Sequence, residues 1–134
     1  MNDTLGSIID RTGVDVYDYL DREELVPVLS GLQVQGDLIC VPTKASKKLG
    51  ELVPADGIAV IRGEVGGHTH LLIGEALAFA PATAGGVDLG VVTVPGGEVG
   101  YMAHPEHGYL AFGPGSYLLR RQREQADEIR LVQD

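Results

Sequence analysis

From residue 36 onward the sequence is a succession of short β-rich segments, separated by Gly, Pro and Asp. "DLICVPT", "GIAVIRGEV", "HTHLLIG", "EALAFAP", "DLGVVTV", "EVGYMAH", "GYLAFG", "SYLLRRQRE" and "DEIRLVQ" follow one another, and no segment of helical length and period interrupts them. Strands this short at this spacing predict a mainly β chain, a small single-domain β-barrel or β-sandwich. "PGGE" (95–98) predicts a tight hairpin, and "TAGGVD" (83–88) a second, weaker one. Aromatic residues make up only 5% and Trp is absent, so Val, Leu and Ile have to fill the core.

The first 35 residues read differently. In "DTLGSIIDRTG", Leu5, Ile8, Ile9 and Thr12 fall at helical spacing, with Asp3 placed to cap the start and Gly13 to stop the end. In "DREELVPVLSG", Asp21 and Glu24 have the spacing of a capping box, and Leu25, Val28, Leu29 and Leu32 continue an apolar stripe. Pro27 lies beyond the first turn and should kink or shorten that second helix. The chain therefore divides into an acidic, partly helical N-terminal extension (1–35) and a β-rich domain (36–134).

Nineteen acids against ten bases leave a net charge of −9. Residues 1–36 hold seven of those acids against Arg11 and Arg22. A surface this acidic repels phosphate backbones, so nucleic-acid binding is not expected. "KASKK" (44–48) and "RRQR" (120–123) read as solvated surface. With Cys40 alone no disulfide can close within the chain, which fits a reducing compartment. The start of the sequence lacks the basic and apolar pattern of a secretory signal, and no stretch approaches the ~20 apolar residues of a membrane span. These features point to a cytoplasmic protein without a membrane partner.

All four histidines occur in close pairs: His68 and His70 in "HTH", His104 and His107 in "HPEH". Side chains alternate across a strand, so His68 and His70 project from one face. His104 and His107 fit a strand end bending into a turn, where both rings can converge. Imidazole nitrogens suit divalent transition metals rather than Ca²⁺ or Mg²⁺. Zn²⁺ is the first candidate, with Fe²⁺, Mn²⁺ and Ni²⁺ as alternatives. His68, His70, His104 and His107 are the candidate ligands. Glu106, between the second pair, and Glu75, five residues after His70, are candidates for proton transfer from a metal-bound water or for ligation. Glu64 is a weaker candidate. Cys40 reads as a small buried hydrophobe.

"GGHTHLLIGE" resembles the first cupin motif, in which a glycine precedes His-x-His and a glutamate follows. That resemblance implies a small β-barrel with His68, His70 and Glu75 as metal ligands. In the second cupin motif Gly100 stands where the histidine belongs, so His104 or His107 would substitute. The last 100 residues or so also resemble a family of small uncharacterised bacterial and phage proteins. The likeness rests on "QGDLICVP", "RGEVGGHTH", "AHPEHGYLAFGPGSYLLRRQRE" and the terminal "RLVQD". It implies a common core from residue 36 and supplies no reaction.

Near the C-terminus, Tyr117, Leu119, Arg121 and Arg123 share one strand face, with Leu118, Arg120 and Gln122 on the other. Gln122, Arg123 and Glu124 suit a cleft, a subunit contact or a charged edge that resists aggregation.

Three functions fit these features. The first is a metal-dependent enzyme, a hydrolase or a cupin-like enzyme, with an open coordination position for water. The second is an interaction or accessory protein whose four histidines form a closed structural clamp. The third is a metal-free β module. Open-edged β proteins of this size often associate, so a homo-oligomer, first a dimer, is expected. The acidic N-terminal segment is the part suited to a protein partner.

Overall fold

The structure, a computed structural model, describes residues 3–17, 20–45, 50–62, 69–82 and 86–121. Its elements in chain order are β1 (Asp3–Thr4), α1 (Leu5–Thr12), β2 (Leu25–Val26), β3 (Val28–Leu29), β4 (Gln33–Gln35), β5 (Leu38–Thr43) and β6 (Glu51–Leu52). They continue with β7 (Ile58–Ile61), β8 (His70–Gly74), β9 (Ala78–Pro81), β10 (Asp88–Val94), β11 (Gly100–His104), β12 (Gly108–Phe112) and β13 (Gly115–Arg121). A six-stranded sheet in the order β4-β5-β13-β10-β9-β6 packs on a five-stranded sheet in the order β3-β12-β11-β8-β7. The two form a sandwich and do not close into the barrel that the cupin resemblance implies.

Alternation along the strands sets two cores. Leu72 of β8, Met102 of β11 and Phe112 of β12 face Leu38, Cys40, Tyr117 and Leu119 of the opposing sheet. Their neighbours Ile73, Tyr101, Ala103, Tyr109 and Ala111 point to the other side of the five-stranded sheet. That outer face is covered by Leu5, Ile8 and Ile9 of α1 together with Val16 and Val26. Both faces being buried, β8, β11 and β12 read as unbroken apolar runs rather than alternating ones.

The first helix forms as its apolar spacing predicts, but Thr4 caps it, accepting from Ser7 N–H at 3.1 Å. Asp3 is instead turned back onto Arg11 at 2.9 Å. Gly13 ends the helix in the left-handed region (φ 75°) and donates its N–H to Ile9 O. The second expected helix does not form. Pro27 has no N–H and a fixed φ, and the segment is drawn out into β2 and β3, which pair with β1 and β12. Asp21 closes a turn there, its Oδ1 accepting from Glu23 N–H at 2.9 Å.

"PGGE" is a turn, with Glu98 N–H donating to Pro95 O, but it joins β10 of one sheet to β11 of the other. It is a crossover between layers, not the expected hairpin. β9 and β10 do pair as antiparallel neighbours, although residues 83–85 of their connection lie outside the described residues. "DEIRLVQ" and residues 122–124 lie outside them too. Among the described residues no helix is long and apolar enough to cross a membrane.

Candidate metal centre

At one end of the sandwich the β4–β5 hairpin meets β8, β11 and β12, the central strands of the five-stranded sheet. Gln35 and Leu38 flank a two-residue turn, Gly36-Asp37. Gly36 has φ +58° and Asp37 does not share the positive φ, the pattern of a II′ hairpin turn. The turn presents Asp37 toward the neighbouring sheet.

Two histidines meet it from that sheet. His70 is the first residue of β8 and His104 the last of β11, each on the inner face with Leu72 and Met102. The pairing Ala103↔Leu71 puts them opposite one another, one step further along. Their ring centroids are 4.5 Å apart. His107, in the β11–β12 turn, brings its ring centroid 4.5 Å from that of His104. His70 and His104 are 0% and 2% exposed, whereas His107 and Gly36 face solvent. The cluster is thus buried on the core side and open on the other.

Hydrogen bonds fix which nitrogen of His70 carries a proton. Gln35 is buried, and its Nε2 donates to Met102 O at 3.0 Å and to Gly108 O at 3.3 Å. With the amide oriented by those two carbonyls, Gln35 Oε1 can only accept, so His70 Nδ1 donates to it across 2.8 Å. His70 Nε2 then faces Asp37 Oδ1 at 3.3 Å. A bare lone pair there would oppose a carboxylate oxygen, so the gap calls for a proton between the two groups or for a cation.

His104 is held differently. Its Nδ1 accepts from the backbone N–H groups of Glu106 and His107, at 3.1 and 3.2 Å. A neutral ring bonded in that way carries its proton on Nε2 and offers no lone pair there to a cation. The bonds instead shape the His-Pro-Glu-His turn that brings His107 forward. His107 Nε2 and the edge of His70 converge on Gly36, where a Cβ would lie 3.2 Å from His107 Nε2 and 3.7 Å from His70 Cε1.

Of the residues singled out in the sequence, His70, His104 and His107 gather at this end, with Glu106 in the same turn. Glu75 stands beyond Gly74, at the opposite end of β8, where it lines a separate cleft of about 540 Å³ with Arg11, Glu98 and Tyr101. His68 and Glu64 lie outside the described residues. Among the described residues no three His, Cys, Asp or Glu side chains meet as a ready-made metal site. Cys40 is buried between the sheets, and burial pushes its thiol pKa up to about 12. Gln35, Gly36 and Asp37 were visible in sequence as the Gln-Gly-Asp of a resemblance, with no role attached.

Residues 34–122 match the family model described as "Domain of unknown function (DUF8820)". No curated protein and no solved structure matches the chain.

Proposed function

Since the chain belongs to the DUF8820 family, whose description assigns no activity, its function has to be argued from the site, and we propose that it binds a divalent transition metal, zinc first, at the histidine end of the sandwich. His70 Nε2 and Asp37 Oδ1 would be primary ligands, His107 Nε2 a third, and His68, one residue from Thr69, the source of a fourth. His104 is the positioning residue that holds His107 in its turn. Fe²⁺, Mn²⁺ and Ni²⁺ suit the same imidazole and carboxylate donors.

The bond from His70 Nδ1–H to Gln35 carries the reading. Metal-binding histidines typically donate their second ring N–H to a fixed acceptor, which sets the tautomer and aims the other nitrogen. Here that acceptor is itself pinned by two backbone carbonyls, and the other nitrogen is aimed at a carboxylate.

The exposure of His107 and Gly36 favours an open site over a closed clamp. With one position left for water, a bound metal would supply a nucleophile for hydrolysis. Glu106, in the turn beside His107, would take the proton. The structural clamp is the second reading, favoured by the complete burial of His70. Ligand count separates the two: three protein ligands and water for the enzyme, four protein ligands for the clamp. Elemental analysis of the untagged protein tests the common premise. One equivalent of metal that is lost in His70→Ala is expected, and metal-free wild-type protein from metal-supplemented growth overturns it.

A further inference from the structure

We propose that the histidine end of the sandwich also receives an oxyanionic group, a phosphate or a carboxylate, anchored by Arg121. This deepens the metal reading by naming the class of ligand that shares the site, and it stands on different residues. β13 runs beside β5 with Tyr117 opposite Pro42, Leu119 opposite Cys40 and Arg121 opposite Leu38. Tyr117, Leu119, Cys40 and Leu38 all belong to the core between the sheets. Alternation therefore sends Arg121 out of β13 on that same inner face. β4 continues the row, because Gln35 is the other neighbour of Leu38. Gln35, Leu38 and Arg121 form one cross-strand row, and Gln35 is the residue that holds His70. At strand spacings of ~4.8 Å the Arg121 and Gln35 backbones are about 10 Å apart. An arginine side chain spans much of that gap.

Arg121 is partly buried, and among the described residues no carboxylate pairs with it. Arg11, Arg22 and Arg120 each have an aspartate. Asp37, next in the chain to Leu38, faces His70 instead. Arg62 adds a second cation: it follows Ile61, the partner of His70 across β7 and β8, and is likewise without a carboxylate among the described residues. Lys44, the remaining base among them, lies past the far end of β5. In a chain of net charge −9, two guanidiniums without a carboxylate partner among the described residues flank the end where three imidazoles gather. Such a local reversal of sign draws anions, and a guanidinium fork binds phosphate or carboxylate with two parallel bonds.

The test is a calorimetric titration of the full chain with inorganic phosphate and, separately, with acetate. It is run on chelator-treated protein and on protein reloaded with one equivalent of Zn²⁺. Wild type is expected to bind at least one of the anions saturably in both forms. Arg121→Gln should weaken that binding about tenfold or more with an unchanged melting temperature, and Arg121→Lys, which keeps the charge and loses the fork, should fall between. Lys44→Gln should bind as wild type. Phosphate without acetate assigns a phosphoryl ligand; acetate without phosphate assigns a carboxylate. No saturable binding of either, or equal affinity in wild type and Arg121→Gln, overturns the proposal. Anion binding that depends on Arg121 in a protein unable to hold zinc would remove the metal reading alone.

Discussion

His70 donates its Nδ1–H to Gln35 Oε1 across 2.8 Å, a bond that ties β8 of one sheet to β4 of the other. The same amide donates to Met102 O and Gly108 O, so one buried side chain satisfies three groups from β8, β11 and β12. Gln35→Ala leaves all three without that partner in a dry setting and is expected to cost about 2–4 kcal/mol in urea unfolding. Gln35→Glu should cost more, because a carboxylate has nothing to donate to the two carbonyls. An unfolding midpoint unchanged by Gln35→Ala would mean that the bridge contributes nothing.

Gly36 and Gly13 provide a matched pair. Both have positive φ, at 58° and 75°, so alanine at either position incurs a backbone cost of about 1–2 kcal/mol. Around Gly13 a Cβ meets nothing within 4 Å, whereas at Gly36 it lies 3.2 Å from His107 Nε2. Gly13→Ala and Gly36→Ala should therefore lose similar stability, but only Gly36→Ala should weaken zinc affinity, by about tenfold or more. Calorimetric titration of the two variants checks this. Equal zinc affinities would place the metal away from the Gly36 turn.

The strands from β5 to β13 were legible because each is a short apolar run between breakers, a local property. What each breaker does was less legible. Pro95 and Gly97 turn the chain whether the next strand pairs with the last one or crosses to the other sheet, and here it crosses. The segment around Pro27 carries a helical stripe, but its backbone is claimed by pairing with β12, more than eighty residues later. The histidines were legible as pairs, and the convergence of His104 with His107 follows from a three-residue turn. The partners of His70 were not. Gln35 is 35 residues earlier in the chain, and only the packing of one hairpin against the other sheet makes them neighbours. A polar residue at a core-facing position of an edge strand carries no local mark of its partner.

Cys40 is buried between the sheets, and desolvation lifts its thiol from 9.0 to about 12. A folded-state pKa above the unfolded one means that the associated stability is intact below pH 9 and is lost as pH rises toward 12. The native protein should resist alkylation by iodoacetamide at pH 8 and react only after unfolding. Stability should fall as the pH rises from 9.0 toward about 12, and Cys40→Val should flatten part of that slope. Burial also raises Tyr101, Tyr109 and Tyr117, whose contribution remains in the variant above pH 10. Rapid alkylation of folded protein at pH 8 would show that the thiol is not enclosed.

The N-terminal helix is tested by its most enclosed residue. Ile8 is 1% exposed and packs with Ile73, Tyr101, Tyr109 and Ala111 on the outer face of the five-stranded sheet. Tyr109 Oη reinforces the contact by donating to Val14 O at 2.6 Å. Ile8→Ala is expected to cost about 3 kcal/mol, with a single unfolding transition. A variant that melts in two steps, with the sandwich at its wild-type midpoint, would show that the helix is a detachable addition.

The three histidines of the cluster predict three different outcomes, because their nitrogens are committed differently. His70→Ala removes the nitrogen aimed at Asp37 and also strands Gln35 Oε1, so it should lose both metal and about 2 kcal/mol of stability. His107→Ala removes an exposed ring on a turn and should weaken zinc binding with little change in the melting point of the metal-free protein. His104→Ala removes the acceptor for two backbone N–H groups, so it should lower stability, and any loss of zinc affinity should follow from release of the turn. His104→Asn is the decisive variant. A side-chain oxygen can still accept from the turn, whereas an amide is a poor replacement for an imidazole ligand. Zinc affinity close to wild type in His104→Asn is expected. Affinity as low as in His70→Ala would make His104 a ligand and move the metal from the Gly36 turn toward the strand ends.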